Sequence, residues 1–151
     1  MRRTVIISLA LFFFSCEAQQ GEMAMKYDES LKMWRSASVD SYTLTVSYRA
    51  FSPHQGEWKL TVKNGRVVKA WFNGAEGDDF IKQAERFTVD SIYEIALAVK
   101  YNREDSPMVV LAEFSNKVPY IRSVKRIRNE KFKGNSPKDT GFSITVIDFR
   151  R

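Results

Sequence analysis

The chain has 151 residues, with 24 Lys and Arg against 18 Asp and Glu, one Cys and one His. This length suits one domain, and a hydrophobic share of 44% with 13% aromatic residues is enough for a core, which excludes global disorder. A single Cys excludes a disulfide framework and a cysteine-rich zinc site, and a single His leaves little material for an imidazole metal cage. We expect no metal and no cofactor.

The N-terminal residues have the pattern of an export signal. Arg2 and Arg3 precede an apolar run over residues 5–14 that only Ser8 interrupts. Such a run is too short to cross a bilayer core of roughly 30 Å but has the length of a secretory signal. It ends in Phe13-Phe14-Ser15-Cys16, which resembles a bacterial lipoprotein box, where a small residue precedes the cysteine that is lipidated. The alternative is a secretory signal cleaved elsewhere, with Cys16 incidental.

The lipoprotein interpretation predicts a signal peptide over residues 1–15, a lipidated Cys16 and short tether over 16–25, and one domain over 26–151. Acyl chains on Cys16 would hold the protein at a membrane, because each buried methylene adds about 0.8 kcal/mol of affinity. Glu17 stands where enteric lipoproteins retained at the inner membrane have Asp. We therefore expect a lipid-anchored protein of the bacterial cell envelope and favour the outer membrane, facing the periplasm.

The first elements of the domain are a helix and a strand. Tyr27, Leu31 and Trp34 have the spacing of one helix face, which predicts a helix over residues 26–35. Apolar and polar residues then alternate over 42–49, which predicts a half-buried strand. Residues 53–56 (PHQG) predict a turn.

The next segment predicts a β-hairpin. Asn64-Gly65 fits a two-residue type I′ turn, because both residues tolerate positive φ. Counting outward from this turn predicts three cross-strand pairs: Val62 with Val67, Leu60 with Lys69, and Trp58 with Trp71. The two Trp residues would then share one face of the hairpin.

The second half begins with a loop and a helix. Residues 73–86 predict a polar loop, and Thr88 predicts the N-cap of a helix that ends near residue 101. Phe87 and Ile92 have the spacing of a hydrophobic staple. Three further strands are predicted near residues 108–114, 120–128 and 142–149. The order helix, three strands, helix, three strands predicts an α+β, two-layer domain whose antiparallel sheet carries the helices on one face.

Several segments in this order resemble bacterial lipoproteins of the domain-of-unknown-function family 6174. The resemblance covers roughly residues 30–149. Its landmarks are Trp34 ahead of SYTLTVSY, the hairpin WKLTVKNGRVVKAW, the helix FTVDSIYEIA, a turn with Pro119 and Tyr120, and the closing GFSITVIDF. The resemblance implies an envelope lipoprotein and supplies no catalytic residues.

Candidates for chemistry each have a structural alternative. His54 lies in the predicted turn without the sequence context of a nucleophile, so we expect an exposed turn residue. The acidic stretch 76–79 (EGDD) lacks the alternating ligands of a calcium loop, so we expect a solvated loop.

Five aromatic residues could line a ligand groove, but their helix and strand periods favour the core. They are Trp34, Tyr42, Tyr48, Trp58 and Trp71.

A basic segment is the strongest binding candidate. Residues 117–139 contain eight Lys and Arg against two carboxylates. In a regular strand Arg122, Arg126 and Arg128 share one face and Lys125 lies on the other. These four could contact anionic lipid head groups or an acidic partner, or they could protect a solvated edge strand from aggregation. Nucleic acid is the poorest partner for an exported protein.

Together these features favour a non-catalytic protein that acts by binding or scaffolding at the envelope. The alternatives are a ligand-binding or inhibitory module that uses a sheet face or the basic segment, and an envelope enzyme whose site is assembled from scattered residues. The sequence does not indicate the oligomeric state.

Overall fold

The computed structural model describes residues 15–151 of the protein, and the side chains from Gly21 onward. It contains three α-helices and seven strands, so the predicted α+β class is confirmed. The helices are α1 (Ser15–Ala37), α2 (Ile81–Ala84) and α3 (Val89–Ala96). The strands are β1 (Tyr42–Ala50), β2 (Gly56–Lys63), β3 (Arg66–Phe72), β4 (Ala75–Glu76), β5 (Met108–Glu113), β6 (Ser123–Arg128) and β7 (Phe142–Arg150). The predicted signal peptide lies outside the described residues except for Ser15.

All seven strands form one antiparallel sheet in the order β4-β3-β2-β1-β7-β6-β5. Strands that follow each other in the chain pair with each other, except β4 and β5, which lie at opposite edges, and the pairing of β1 with β7 joins the two halves of the sheet. Alternate residues of the central strands are buried, among them Leu44, Val46 and Leu60, each with no exposed surface. These residues form one core cluster with apolar side chains of α1 and α3. The two halves of the chain therefore fold around a shared core.

Hydrogen bonds join α1 to α3. The Trp34 Nε1 donates to Asp90 Oδ1 at 2.8 Å, and the Tyr27 hydroxyl donates to the carbonyl of Tyr93 at 3.2 Å. The Tyr93 hydroxyl lies 2.6 Å from the Ser30 Oγ. Burial raises the pKa of Tyr93 to about 12, so its hydroxyl keeps its proton at neutral pH. These buried polar contacts fix the rotation of α1.

The first helix begins earlier than predicted. It includes residues 16–25, for which the sequence predicted a short tether. Most residues of this segment are strong helix formers, and Glu22 pairs with Lys26 at 2.6 Å with the i, i+4 spacing that stabilises a helix. Met23 packs against the core cluster. Because the segment is polar, its sequence did not indicate that it is helical and continuous with the rest of α1.

The predicted hairpin turn is confirmed, but its register is not. Asn64 and Gly65 have φ values of 50° and 74°, as a type I′ turn requires. Val62 pairs with Val67 as predicted. A β-bulge then shifts the register, because Thr61 pairs with Lys69 and leaves Val68 as an extra residue.

The bulge places the two Trp residues of the hairpin on opposite faces. Trp58 pairs with Phe72, not with Trp71, and Leu60 pairs with Ala70, not with Lys69. Trp58 is buried against aromatic side chains, with the Phe87 ring 5.3 Å away between centroids. Trp71 lies opposite Lys59, whose ammonium is 5.0 Å from the indole ring. The predicted shared face is wrong because an inserted residue inverts the alternation beyond it.

The predicted polar loop over residues 73–86 is also wrong. This segment contains β4, α2 and two short 3₁₀ turns. Ala84 and Phe87 are buried, and the Phe80 ring lies 5.9 Å from the Trp58 ring. Phe80, Ala84 and Phe87 have the spacing of one helix face, a signal that the surrounding charges obscured.

The later elements agree with the sequence except at their ends. The Thr88 N-cap is confirmed, since its side chain accepts a hydrogen bond from the backbone N–H of Ser91. The helix becomes a 3₁₀ helix at Leu97–Tyr101. The strand predicted from residue 120 begins at Ser123.

The two Trp residues of the hairpin test this register. We expect Trp58→Ala to lower the free energy of unfolding by about 3–5 kcal/mol, because it empties a core site. Trp71→Ala should cost about 1 kcal/mol, since it removes a partly exposed ring and one cation–π contact. Urea denaturation of both variants measures the difference. Equal losses would contradict the bulge and support the unshifted register.

Candidate binding surface at the basic strand

The four basic residues predicted to contact an anionic surface lie in and just before β6. Arg122 precedes the strand, and Lys125, Arg126 and Arg128 belong to it. All four are exposed. Strand alternation places Arg126 and Arg128 on the side of buried Val124, and Lys125 on the opposite side. The basic surface, defined as these four residues, therefore extends around both sides of β6.

The basic surface carries uncompensated positive charge. The ion pairs of the described residues use other cations, such as Lys26 with Glu22 and Lys131 with Glu104. Within residues 21–151, no carboxylate lies within salt-bridge distance of any residue of the basic surface. Neighbouring cations without counter-charges produce a positive potential that attracts anions.

The far end of β6 is uncovered because β7 pairs with only part of it. The pairing of β6 with β7 ends at Arg126 and Phe142. Ile127 and Arg128 pair only with Val109 and Met108 of β5. The open end of the β5–β6 hairpin, at Met108 and Arg128, thus extends beyond the pairing with β7. Ile127, at this end, is 41% exposed.

A groove with a volume of about 550 Å³ lies where this hairpin end meets the N-terminal part of α1. Met23 and Lys26 of α1 line it together with Leu111, Ile127 and Arg128 of the hairpin. Met23 is seven positions after Cys16, about 10 Å along a helix. Arg128 of the basic surface therefore lies near the end of the domain that leads back to the predicted lipidation site. The side chain of Cys16 itself is outside those described.

Side-chain amides hold the walls of the groove. β5 is an edge strand, and the Asn102 amide satisfies its outward-facing backbone at Val110, donating to the carbonyl at 2.6 Å and accepting from the N–H at 2.8 Å. The buried Asn129 donates to the carbonyls of Glu104 at 3.0 Å and Ser106 at 2.8 Å. These amides, one buried and one half-buried, each bind two or more backbone groups and make the groove a preformed feature.

Two ion pairs lie along this side of α1. The hydrogen bond from Lys26 lowers the pKa of Glu22, and the hydrogen bond to Asp28 raises the pKa of Lys100. The Lys100 ammonium is 2.9 Å from the Asp28 carboxylate and ties α1 to the Leu97–Tyr101 segment. Exposed pairs of this kind contribute little to stability.

The aromatic residues considered for a ligand groove divide between two places. Trp34, Tyr42 and Trp58 are buried, and Tyr48 packs against the same cluster. Trp71 lies on the other face of the sheet. The structure thus does not bring these five residues together in a groove.

His54 and Glu76 of the acidic stretch both contact neighbouring residues. The His54 carbonyl accepts a hydrogen bond from the Trp58 indole at 2.9 Å, and its ring lies 6.4 Å from that indole, so this residue is half-buried rather than exposed. The Glu76 carboxylate lies 3.7 Å from the Lys69 ammonium. In the described part of the chain, no group of three or more His, Cys, Asp or Glu side chains is arranged to hold a metal ion.

Of the helices within residues 15–151, none is both long and apolar enough to cross a membrane.

Comparison with known proteins identifies the family. Residues 26–125 match the family model described as Family of unknown function (DUF6174), about two thirds of the chain. The chain belongs to this family. The match runs from α1 to the middle of β6, so Arg126, Arg128 and β7 lie beyond it. No curated protein matches the chain in sequence.

The groove was missed in the sequence, although a signal for it is present. Residues 108–112 (MVVLA) are apolar without interruption, where a half-buried strand would alternate. Val110 and Ala112 face the core, and Leu111 is 41% exposed. An unbroken apolar run in an edge strand indicates a second contact surface.

Replacing Asn102 tests how the groove wall is held. We expect Asn102→Ala to lower the free energy of unfolding by about 1–3 kcal/mol, because two backbone groups of Val110 lose their partner. Hydrogen exchange should also show faster exchange of the Val110 amide. Asn116→Ala, at an exposed position, is the matched control. Unchanged protection of Val110 in the Asn102 variant would contradict this role.

Proposed function

We propose that this protein is a lipid-anchored protein of the bacterial cell envelope that acts by binding or scaffolding without catalysis. In this proposal Cys16 carries the lipid, and the two-layer domain, with its helices on one sheet face, presents the basic surface to anionic lipid head groups. The observation that carries the proposal is the basic surface on β6, which has no carboxylate within salt-bridge distance in the described residues and whose Arg128 lines the groove beside the N-terminal part of α1.

A lipid and a basic surface act together in membrane attachment. Several acyl chains on Cys16 would make the attachment stable, and a basic surface would orient the domain against anionic head groups. Each Lys or Arg close to an anionic surface adds about 1 kcal/mol. The helical lead from residue 16 to Met23 supports this combination, because a continuous helix keeps the domain within a short distance of its anchor.

An anionic membrane is favoured over an acidic protein as the partner. Two partly exposed apolar residues lie beside these cations, Leu111 opposite Lys125 and Ile127 next to Arg128. Mixed cationic and apolar side chains suit a bilayer interface. With Glu17 after the lipidated residue, we propose the outer membrane, with the domain facing the periplasm.

Fatty-acid labelling tests the anchor. We expect the full-length chain, expressed in a bacterial host with radiolabelled palmitate, to incorporate label and to sediment with membranes. Cys16→Ala should lose both properties, because the thiol that would carry the lipid is absent. Ser15→Ala is the matched control, since a small residue still precedes the cysteine.

Label that persists in Cys16→Ala, or a wild-type chain that is unlabelled and found in the soluble fraction, would refute the lipoprotein proposal. A cooperative thermal transition in Cys16→Ala checks that loss of anchoring is not loss of folding.

A further inference from the structure

The groove between α1 and the β5–β6 hairpin has an apolar lining. Its apolar lining residues are Met23, Val99, Val109, Leu111 and Ile127, of which Val99 is fully buried. Small-molecule sites have volumes of about 300–1,000 Å³, a range that includes the 550 Å³ of this groove. Exposed apolar side chains on an edge strand favour aggregation unless something covers them. The lining therefore suits an apolar chain.

The charges at the mouth of the groove leave one cation without a partner. Lys26 pairs with Glu22 at 2.6 Å, and Lys131 pairs with Glu104 at 3.3 Å. Arg128 has no carboxylate within salt-bridge distance in the described residues. A guanidinium in this position can bind a carboxylate through charge-assisted hydrogen bonds.

The remaining charge at the mouth favours an anion with a single charge. Four cations and three carboxylates line the groove, and Arg103 also pairs with Asp105, so Arg128 is the lining cation without a carboxylate partner in the described residues. A doubly charged phosphate would meet the lining carboxylates at a repulsive cost, whereas one carboxylate matches the single charge of Arg128.

We infer that this groove binds a long-chain fatty acid, with its hydrocarbon chain against Met23, Leu111 and Ile127 and its carboxylate at Arg128. This inference goes beyond the proposed function and does not depend on lipidation of Cys16. The single chain would fill the groove lengthwise and remove the exposed hairpin side chains from water.

Photolabelling tests the inference directly. The full-length Cys16→Ala chain, which lacks its own lipid, is incubated with palmitic acid that carries a diazirine near the chain end. We expect cross-links in peptides that contain Met23, Leu111 or Ile127, and unlabelled palmitate should compete for them. Labelling spread over the surface, or labelling that palmitate does not displace, would overturn the inference.

Two pairs of matched variants test the contacts of the hydrocarbon chain and of the carboxylate separately. Leu111→Glu should weaken palmitate binding by at least about tenfold, because it places a charge against the hydrocarbon chain. Val68→Glu is its control, since Val68 is equally exposed, at 41%, but lies outside the groove. A thermal melt of each variant confirms folding. Equal losses of palmitate affinity in the two variants would overturn the assignment of the hydrocarbon chain to the groove.

Arg128→Gln should weaken palmitate binding by about tenfold and leave the binding of hexadecanol, which has no charge, unchanged. Arg126→Gln, on the same side of β6 but outside the groove lining, should change neither. A loss of hexadecanol binding in Arg128→Gln, or an equal loss of palmitate binding in Arg126→Gln, would overturn the role of Arg128.

The lipidated wild-type chain distinguishes a free fatty acid from the protein's own anchor. Cross-links in the groove of the wild type at the level of Cys16→Ala support a free fatty acid. Cross-links in Cys16→Ala alone would show that the anchor's own acyl chain occupies the groove and would overturn the inference.

Discussion

Leu44, Val46 and Leu60 have no exposed surface, and Trp58, at 1%, has almost none, because they share one core cluster with side chains of α1, α3 and the intervening helical turns. This shared core determines the rest of the structure. Removing such a continuous apolar face from water is the dominant favourable term in folding a domain of this size. It also requires every strand to direct alternate side chains toward the core along its whole length.

The bulge at Val68 is a consequence of that requirement. The extra residue keeps Val67 and Ala70 both buried, at 7% and 1%, and sends Trp71 to the opposite face. At the other end, β7 stops pairing at Arg126, so the end of the hairpin extends past the covered sheet. Arg128 of the basic surface and the groove lie at this end. The groove and Arg128 thus lie at the margin of the hydrophobic core.

Local signals were sufficient for part of the fold. The alternation of β1, the Asn64-Gly65 turn and the Thr88 N-cap depend on neighbours in the chain, and the sequence predicts each of them correctly. The bulge could not be predicted in this way, because it depends on which residues of β3 reach the core across two strands.

The candidate site shows the same division between local and long-range information. The density of basic residues in β6 is visible in the sequence, but whether a carboxylate lies near them depends on the tertiary fold. The groove depends on α1 reaching back to the hairpin, and the early start of α1 was hidden by the polar residues 17–22. Leu111 and Ile127 became candidates only once their neighbours were known.

The measurement that tests the account most directly is binding of the full-length Cys16→Ala chain to vesicles with and without phosphatidylglycerol. We predict salt-dependent binding to the anionic vesicles, weakened at least about tenfold when Arg122, Lys125, Arg126 and Arg128 are all replaced by Gln. A control with the same loss of charge replaces four exposed cations elsewhere, Arg49, Lys63, Arg66 and Lys82, and should bind nearly as well as the parent. Equal weakening in both variants, or equal binding to neutral vesicles, would contradict the assignment of the membrane-facing surface to β6.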